Sequence, residues 1–395
     1  MTISADPLRH LEAELRDLEE RSLLRIPPEP RPRSSVPPPS AGLPPVLLCS
    51  NDYLGYGSDP WTTEDHPDAA PELTGSGASR LVAGEHAAHV DTEGELADWV
   101  GLPKALLFSS GYAANVGALA CLAGRNDVIV SDALNHASII DGCRLSGAHV
   151  RVVPHADVRA VEGALRESRS ARARWVVTES YFSMDGDSPD LAALRSVCDA
   201  HDAALYVDEA HALGVFGPEG AGLCAEAGVV PNVLVGTFGK ALGLQGAFVA
   251  DSPVLRSYLW NRARSFVFST GLSPALTARI LTNVRRVIAD DDARERLHAN
   301  ADRLREALRS AGVPLPKGAR GPVIPWVVGA PSAALELSAR LRRRGVIVQP
   351  IRPPTVPLNT ARLRITATAA LTRHDLQRAM EALVVVASEA VDLRP

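Results

Sequence analysis

RWVVTESYFSMDGDSPDLAALRSVCDAHDAALYVDEAH, residues 174–211, has an apolar run at each end and a helical stretch between them. RWVVTES (174–180) and ALYVDEAH (204–211) lack the period-2 alternation of a half-solvated strand, and 189–202 reads as a helix. Apolar runs separated by helices indicate a mostly parallel sheet covered on both faces. The rhythm continues on either side. ALLF (105–108), DVIV (127–130), HVRVV (149–153), VLVGTF (233–238) and GAFVA (246–250) read as strands, and 112–124, 137–147 and 157–169 as helices. The class is α/β, with seven strands in the sheet. In such sheets a ligand sits beyond the carboxyl ends of the strands. The polar residues there are Glu179 and Ser180, Asp208, Glu209 and His211, and Thr237 and Lys240.

The flanks differ from this core. Leu8, Leu11, Leu15 and Leu18 share one helical stripe, with Asp6 and Pro7 as cap and first turn. Such a helix is marginal alone, so it is expected to dock on the body or on a second subunit. IPPEPRPRSSVPPPSAGLPP follows, with nine prolines from Pro27 to Pro45, and reads as an extended connector. In SDPWTTEDHPDAAPELTG (58–75), Pro67 and Pro71 would interrupt a helix, so loop or short helical turns are expected. Beyond Ser273, Leu297, Leu304 and Leu308 mark an amphipathic helix. GVIVQPI (345–351) and ARLRITAT (361–368) read as strands, the second with Arg362, Arg364 and Thr366 on one face. The expected organisation is an N-terminal helix and Pro-rich arm (1–45), a large α/β domain (46–272) and a smaller C-terminal α+β domain (273–395).

Composition narrows the function classes. The 395 residues are 46% hydrophobic and 22% charged, with a net charge of −5, which argues against a nucleic-acid partner. The five cysteines are dispersed without a CxxC, which fits a reducing cytosol and neither a disulfide frame nor a zinc site. No apolar run is long enough to span a bilayer, and the acidic start MTISADPLRHLEAELRDLEE does not read as a targeting peptide. A cytoplasmic protein without a membrane partner is expected. Gly75-Ser76-Gly77-Ala78-Ser79-Arg80 opens like a dinucleotide fingerprint, but Arg80 stands at the third glycine. No GxSxG elbow occurs, and GTFGK lacks the spacing of a phosphate-binding loop. His86 and His89 have no cysteine near them to complete a metal set.

Lys240 stands out against this background. Of 41 Lys+Arg only three are lysines, Lys104, Lys240 and Lys317, and Lys240 lies among Gly239, Ala241, Leu242 and Gly243. A guanidinium cannot lose its proton and act as a nucleophile, whereas an amine can. Asp208 and His211 close a neighbouring apolar strand. An amine, a buried carboxylate and an imidazole at adjacent strand ends suit a pyridoxal phosphate site. There the lysine forms the Schiff base and the carboxylate keeps the pyridine nitrogen protonated.

The chain resembles the α-oxoamine synthases, a fold-type I family of pyridoxal 5'-phosphate enzymes, from about Leu24 to its end. The resemblance rests on SNDYLGYG (50–57), GSGASRLVAGEHAAH (75–89), FSSGYAAN (108–115), SDALNHASIIDGCRLS (131–146), VVTESYFSMDGD (176–187), VDEAHALGVFGPEGAG (207–222), GTFGKALG (236–243) and IRPPTVPLNTARLRITATAA (351–370). It implies that Lys240 is the Schiff-base lysine and the base for the substrate α-proton. Asp208 would bind the pyridinium, His211 the ring hydroxyl, and His136 would stack on the ring. Gly111 and Tyr112 would hold the phosphate through backbone amides at a helix N-terminus, with Ser183 and Thr237 completing the polar shell. Ser269 and Thr270 would reach the neighbouring subunit's phosphate, implying a homodimer with active sites at its interface. Arg364 would grip the amino acid carboxylate, although Arg362 lies on the same face and spacing alone leaves the two open. Arg25 and Thr355 would touch the acyl substrate, and Asn51 is a further substrate-binding position.

The implied reaction is a decarboxylative condensation of an amino acid with an acyl thioester, carried by CoA or by an acyl-carrier protein. SMDGD and RPPTVP favour the biotin-pathway member that uses L-alanine and a pimeloyl thioester. The alternatives are sister enzymes taking glycine or serine with other acyl groups, and a non-catalytic homologue. The last would be expected to lack Lys240, Asp208 or His136, and all three are present. The 58–75 segment replaces a helix usual in the family, and Ala212 stands where glycine is frequent.

Overall fold

The computed structural model describes residues 8–27, 43–58, 73–316 and 318–390. Most of the expected Pro-rich connector (28–42), most of the Pro67/Pro71 segment (59–72) and the Asp6–Pro7 helix start lie outside the described residues. The chain forms two compact units, one made of the described residues of Asn51–His298 and the other of those of Met1–Ser50 with Ala299–Pro395.

In the larger unit β1 (Lys104–Phe108), β2 (Val128–Asp132), β3 (His149–Val153), β4 (Arg174–Glu179), β5 (Ala204–Asp208), β6 (Val233–Thr237) and β7 (Ala247–Asp251) form one sheet. Their order is β1-β7-β6-β5-β4-β2-β3. All neighbours pair parallel except β7, which runs antiparallel to both β6 and β1. β1 therefore points the same way as the parallel set, and its carboxyl end emerges on the same edge. Leu106, Ile129, Val177, Val207 and Val235 from five strands are all 0% exposed, as strands covered on both faces should be.

α1 (Arg9–Glu20) belongs to the other unit, and the helices of this one include α2 (Ala87–Trp99), α3 (Gly111–Leu122), α4 (Ala137–Ser146), α5 (Val158–Glu167), α6 (Leu191–Ala200), α7 (Pro253–Arg262) and α8 (Pro274–Ala289). Local chemistry starts and stops them. Side-chain oxygens of Ser110, Asp157 and Asp190 accept the amides of Ala113 (3.1 Å), Ala160 (3.0 Å) and Ala193 (2.9 Å). Gly147, at φ +70°, closes α4 in the left-handed region.

Close packing at β6 gives a first prediction. A Cβ on Gly236 would lie 2.3 Å from Phe248 Cε1 and 2.4 Å from Leu213 Cδ1. Gly236→Ala is expected to cost ~1–3 kcal/mol through overpacking. A urea titration should show a lower midpoint at unchanged slope, and an unchanged midpoint would contradict the packing.

In the smaller unit β8 (Val323–Gly329), β9 (Gln349–Ile351) and β10 (Ala361–Thr366) form an antiparallel sheet in the order β9-β10-β8. The helix α9 (Asp291–Ser310) crosses the unit boundary in sequence, and α10 (Pro331–Arg343) and α11 (Arg373–Glu389) follow. The expected single strand 345–351 is split. Val346–Ile347 pairs with Val46–Leu47, while Gln349–Ile351 pairs with β10. Between them the Val348 carbonyl is taken by Ser338 Oγ at 2.8 Å. The unit boundaries also differ from 45/46 and 272/273. Val46–Leu47 is committed to the smaller unit by its pairing, and α8 packs along α2 in the larger one. Among the described residues no helix is long and apolar enough to cross a membrane.

Candidate active site

Chain direction across the sheet reverses between β2 and β4, because β2 leads outward to β3 while β4, β5 and β6 proceed the other way. A ligand crevice forms at the carboxyl ends where such a reversal occurs. His136 follows β2 and Glu179 closes β4, and the two are joined across the crevice. The His136 backbone N–H donates to Glu179 Oε1 at 2.6 Å. Asn135 Nδ2 ties the same turn to Ser131 Oγ (3.0 Å) and to the Val177 carbonyl (2.8 Å).

His136 caps α4 by accepting the Ser138 amide at Nδ1 (3.3 Å), and Ser138 Oγ lies 2.7 Å from the same nitrogen. These bonds require an unprotonated Nδ1. Desolvation foremost, and the Lys240 charge as well, hold this imidazole below its ordinary pKa, against the opposing pull of Asp208. The residue is nonetheless exposed.

Asp208 is 5% exposed and held by two hydrogen bonds. Its Oδ2 accepts Asn115 Nδ2 at 2.7 Å and its Oδ1 accepts the Ala210 amide at 2.8 Å. Asn115 sits on α3 and is fixed in turn by the Tyr206 hydroxyl at 2.8 Å. A continuous chain therefore runs from Tyr206 through Asn115 to both Asp208 and Ser138, and from Ser138 to His136. Glu179 stands directly opposite Asp208 in the β4–β5 register. Burial first, and the Asp208 charge second, push the Glu179 carboxyl well above its ordinary value. His211 is buried, its Nδ1 2.5 Å from the Tyr53 hydroxyl.

Lys240 lies in the turn between β6 and β7. That turn is closed by Gly243 N–H to the Lys240 carbonyl (2.9 Å) and by Leu244 N–H to the Phe238 carbonyl (2.8 Å). Gly243 is at φ +68°, and a Cβ there would lie 2.3 Å from Gly57 N. Backbone sign and space both demand glycine. Lys240 itself is half-buried, and its charge acts on both His136 and Glu179.

An anion cradle completes this edge. In the sheet Phe108 pairs with Ala247 and Ala247 with Thr237, so the chain leaving β1 passes beside the end of β6. The Cβ position of Gly111, first residue of α3, is accordingly 3.7 Å from Thr237 Cβ and Oγ1. A 12-residue helix presents its free N-terminal amides beside a hydroxyl. Tyr112 follows, its exposed side chain donating to Asp141 Oδ2 at 2.5 Å. Ser183 is buried in the turn after β4. Ser269 and Thr270 line a small cleft with Arg80 and Ser109. Their segment is anchored by Gly271 N–H to the Ala78 carbonyl (3.0 Å).

Arg25, Thr355, Arg362 and Arg364 belong to the smaller unit. Residues 330 positions apart in sequence meet there, as Arg25 Nη2 donates to Thr355 Oγ1 at 3.1 Å. Arg352 straps the same stretch by donating to the Ser22 carbonyl at 2.5 Å and the Leu24 carbonyl at 3.3 Å. Arg362 and Arg364 are both buried on β10. Arg364 donates to Thr366 Oγ1 and Arg362 Nε to the Thr360 carbonyl, each at 3.1 Å. Asn51 is half-buried in the larger unit, its carbonyl accepting the Tyr53 amide at 2.8 Å. His86 and His89 cap α2. His89 Nδ1 accepts the His86 amide, and Nε2 bonds the Leu272 carbonyl at 2.8 Å.

The larger unit thus gathers an amine, a carboxylate with a fixed partner chain, an imidazole on an exposed residue, and a helix N-terminus beside a hydroxyl. That set fits a ligand with a carbonyl, a basic ring nitrogen and an anionic group. Sequence reasoning marked the polar end of β4 but not the Glu179–His136 bond, and it gave no role to Asn115, Tyr53 or Arg352, although each lies within a quoted motif.

Comparison with known proteins agrees with this reading. The family described as aminotransferase class I and II matches residues 44–383. The 8-amino-7-oxononanoate synthase of Methylococcus capsulatus is 49% identical over 347 residues, covering 87% of this chain and 89% of that protein. A solved serine palmitoyltransferase containing PLP aligns at a TM-score of 0.87 with 29% identity, covering 98% of both chains. The 8-amino-7-oxononanoate synthase of Francisella tularensis aligns at 0.74 with 26% identity, covering 88% of this chain and 98% of that one.

Proposed function

This chain belongs to the aminotransferase class I and II family, and we propose that it acts as an 8-amino-7-oxononanoate synthase. It is a PLP-dependent acyltransferase of the α-oxoamine synthase type, condensing L-alanine with a pimeloyl thioester in biotin biosynthesis. The observation that carries this reading is the convergence of Lys240, Asp208 and His136 with the α3 N-terminus at one sheet edge.

When bound, pyridoxal phosphate supplies an electron sink for the α-carbon of the amino acid. Lys240 would hold the cofactor covalently through Nζ in the absence of substrate, and would move the α-proton once the amino acid has displaced it. Asp208 would keep a proton on the ring nitrogen, with Asn115 fixing the orientation of its carboxylate. His136 would stack on the ring, and His211 would bond the ring hydroxyl. The amides of Gly111 and Tyr112, with Thr237 and Ser183, would hold the phosphate. Arg364 would fix the alanine carboxylate in a bidentate grip, with Asn51 as a further substrate contact. In the net reaction the α-carbon gives up its proton to Lys240 and bonds the thioester carbonyl carbon, expelling the thiol. The former alanine carboxylate leaves as CO2, and the α-carbon is reprotonated.

Arg25 and Thr355 would contact the acyl substrate. Arg352 holds the backbone that carries Arg25. A hydrogen bond from a charged group is worth about 1.5–3 kcal/mol, so Arg352→Ala should raise KM for the pimeloyl thioester about tenfold or more. KM for L-alanine should be unchanged. Steady-state kinetics with each substrate varied in turn would show the split, and an equal rise in both would contradict it.

Ser269 and Thr270 would serve the phosphate of a second copy, making the working unit a homodimer. CoA and an acyl-carrier protein are both acyl donors that this reading accommodates. The five free cysteines fit a cytoplasmic setting. The direct test measures thiol release from pimeloyl-CoA with L-alanine, glycine or L-serine. Turnover with L-alanine alone is expected, and preference for glycine or serine would move the assignment to a sister enzyme.

A further inference from the structure

His155, just beyond β3, has both ring nitrogens committed to carboxylates on two other segments. Nδ1 lies 3.0 Å from Asp132 Oδ1, and Nε2 lies 3.0 Å from Asp187 Oδ2. Asp132 is the last residue of β2, and its carboxylate also accepts the amides of Leu134 and Ala156, each at 2.8 Å. It therefore shapes the turn that delivers His136. Asp187 closes the turn carrying Ser183, where Phe182 N–H donates to the Asp187 carbonyl (2.9 Å) and Gly186 N–H to the Phe182 carbonyl (2.9 Å). The Phe182 ring packs edge-on against the imidazole, centroids 4.3 Å apart. Neither carboxylate can donate a hydrogen bond when ionised, so a bond at each nitrogen requires two N–H groups on the ring.

We infer that His155 is a positioning residue of the active site, a cationic pin that couples the turn bearing His136 to the turn bearing Ser183. It touches neither reacting atoms nor cofactor. It fixes the spacing of two segments that do, and the inference rests on the reading of His136 and Ser183 as cofactor contacts. Asp132 and Asp187 are the charged groups facing the ring, and Phe182 covers its flank. Desolvation pulls the imidazolium pKa down, but the bonds to Asp132 and Asp187 outweigh it and raise it to about 10. A raised pKa means that the pin is intact below the ordinary imidazole range, persists through neutral pH and is lost as pH rises through about 10.

Two measurements test this. Nitrogen-15 NMR of ring-labelled histidine in the full-length protein at pH 8.5 should find one histidine with both nitrogens protonated, and that signal should vanish in His155→Gln. Second, reconstitution of cofactor-depleted protein with pyridoxal phosphate should show about tenfold weaker binding in His155→Gln and in Asp187→Asn. Asp187→Asn keeps an acceptor while removing charge, and it decides the matter if His155→Gln does not fold. A neutral His155 at pH 8.5 would overturn the proposal, as would wild-type cofactor affinity in folded Asp187→Asn. If the wild-type chain itself bound no pyridoxal phosphate, the functional reading would fail first and take this inference with it.

Discussion

Replacing Lys240 with arginine is expected to leave a folded protein that lacks both turnover and a borohydride-sensitive visible absorbance. The substitution keeps positive charge and length in the turn between β6 and β7. That turn is set by the backbone bonds of Phe238, Lys240, Gly243 and Leu244, with Phe238, Ala241 and Leu242 buried around it. Folding should therefore survive, and the charge felt by His136 and Glu179 should persist. What arginine cannot supply is an amine that sheds its proton and forms a covalent bond to a carbonyl. Removal of a proton-transfer group alone costs ~10²–10⁴-fold in rate, and loss of the covalent linkage adds to it. Circular dichroism would verify the fold. Turnover within tenfold of wild type would refute the assignment of Lys240.

Asp208→Asn should be nearly as damaging but differently expressed. The amide keeps the volume between Asn115 and the Ala210 N–H, yet it carries no charge with which to hold a proton on a ring nitrogen. Loss of one partner from a buried charge pair costs about 2–5 kcal/mol, or roughly 30- to several-thousand-fold in rate. Glu179 cannot take over. Burial already disfavours charge on its carboxyl, and its Oε1 is bonded to the His136 amide. The variant should therefore retain the visible band while losing exchange of the alanine α-hydrogen with deuterated water. Wild-type exchange would show that Asp208 is not the charge that matters.

The parallel core was legible because its strands are uninterrupted apolar runs separated by helices, and the observed strands coincide with those runs to within a few residues. The reversed direction of β7 was not read, although a signal existed. Only residues 238–246 separate it from β6, fewer than a parallel crossover requires. β8 escaped notice because Pro325 interrupts its pattern. In the structure β8 is an edge strand, where a residue without an N–H is tolerated. At the site, the motif residues were recognisable one at a time, but their partners were not. Asn115 meets Asp208 across 93 positions, and His136 meets Glu179 across 43. Such pairings are consequences of register and have no local signature. His155 belongs to the same category, since its meaning depends on two aspartates brought together by separate strand ends.

For the lysine that would hold the cofactor covalently, the sequence offers only Lys104, Lys240 and Lys317. Borohydride reduction of the pyridoxal phosphate-loaded protein, followed by proteolysis and mass spectrometry, would locate the modified lysine. A phosphopyridoxyl adduct on Lys240 alone is expected. An adduct confined to Lys104 or Lys317, or no adduct at all, would contradict it.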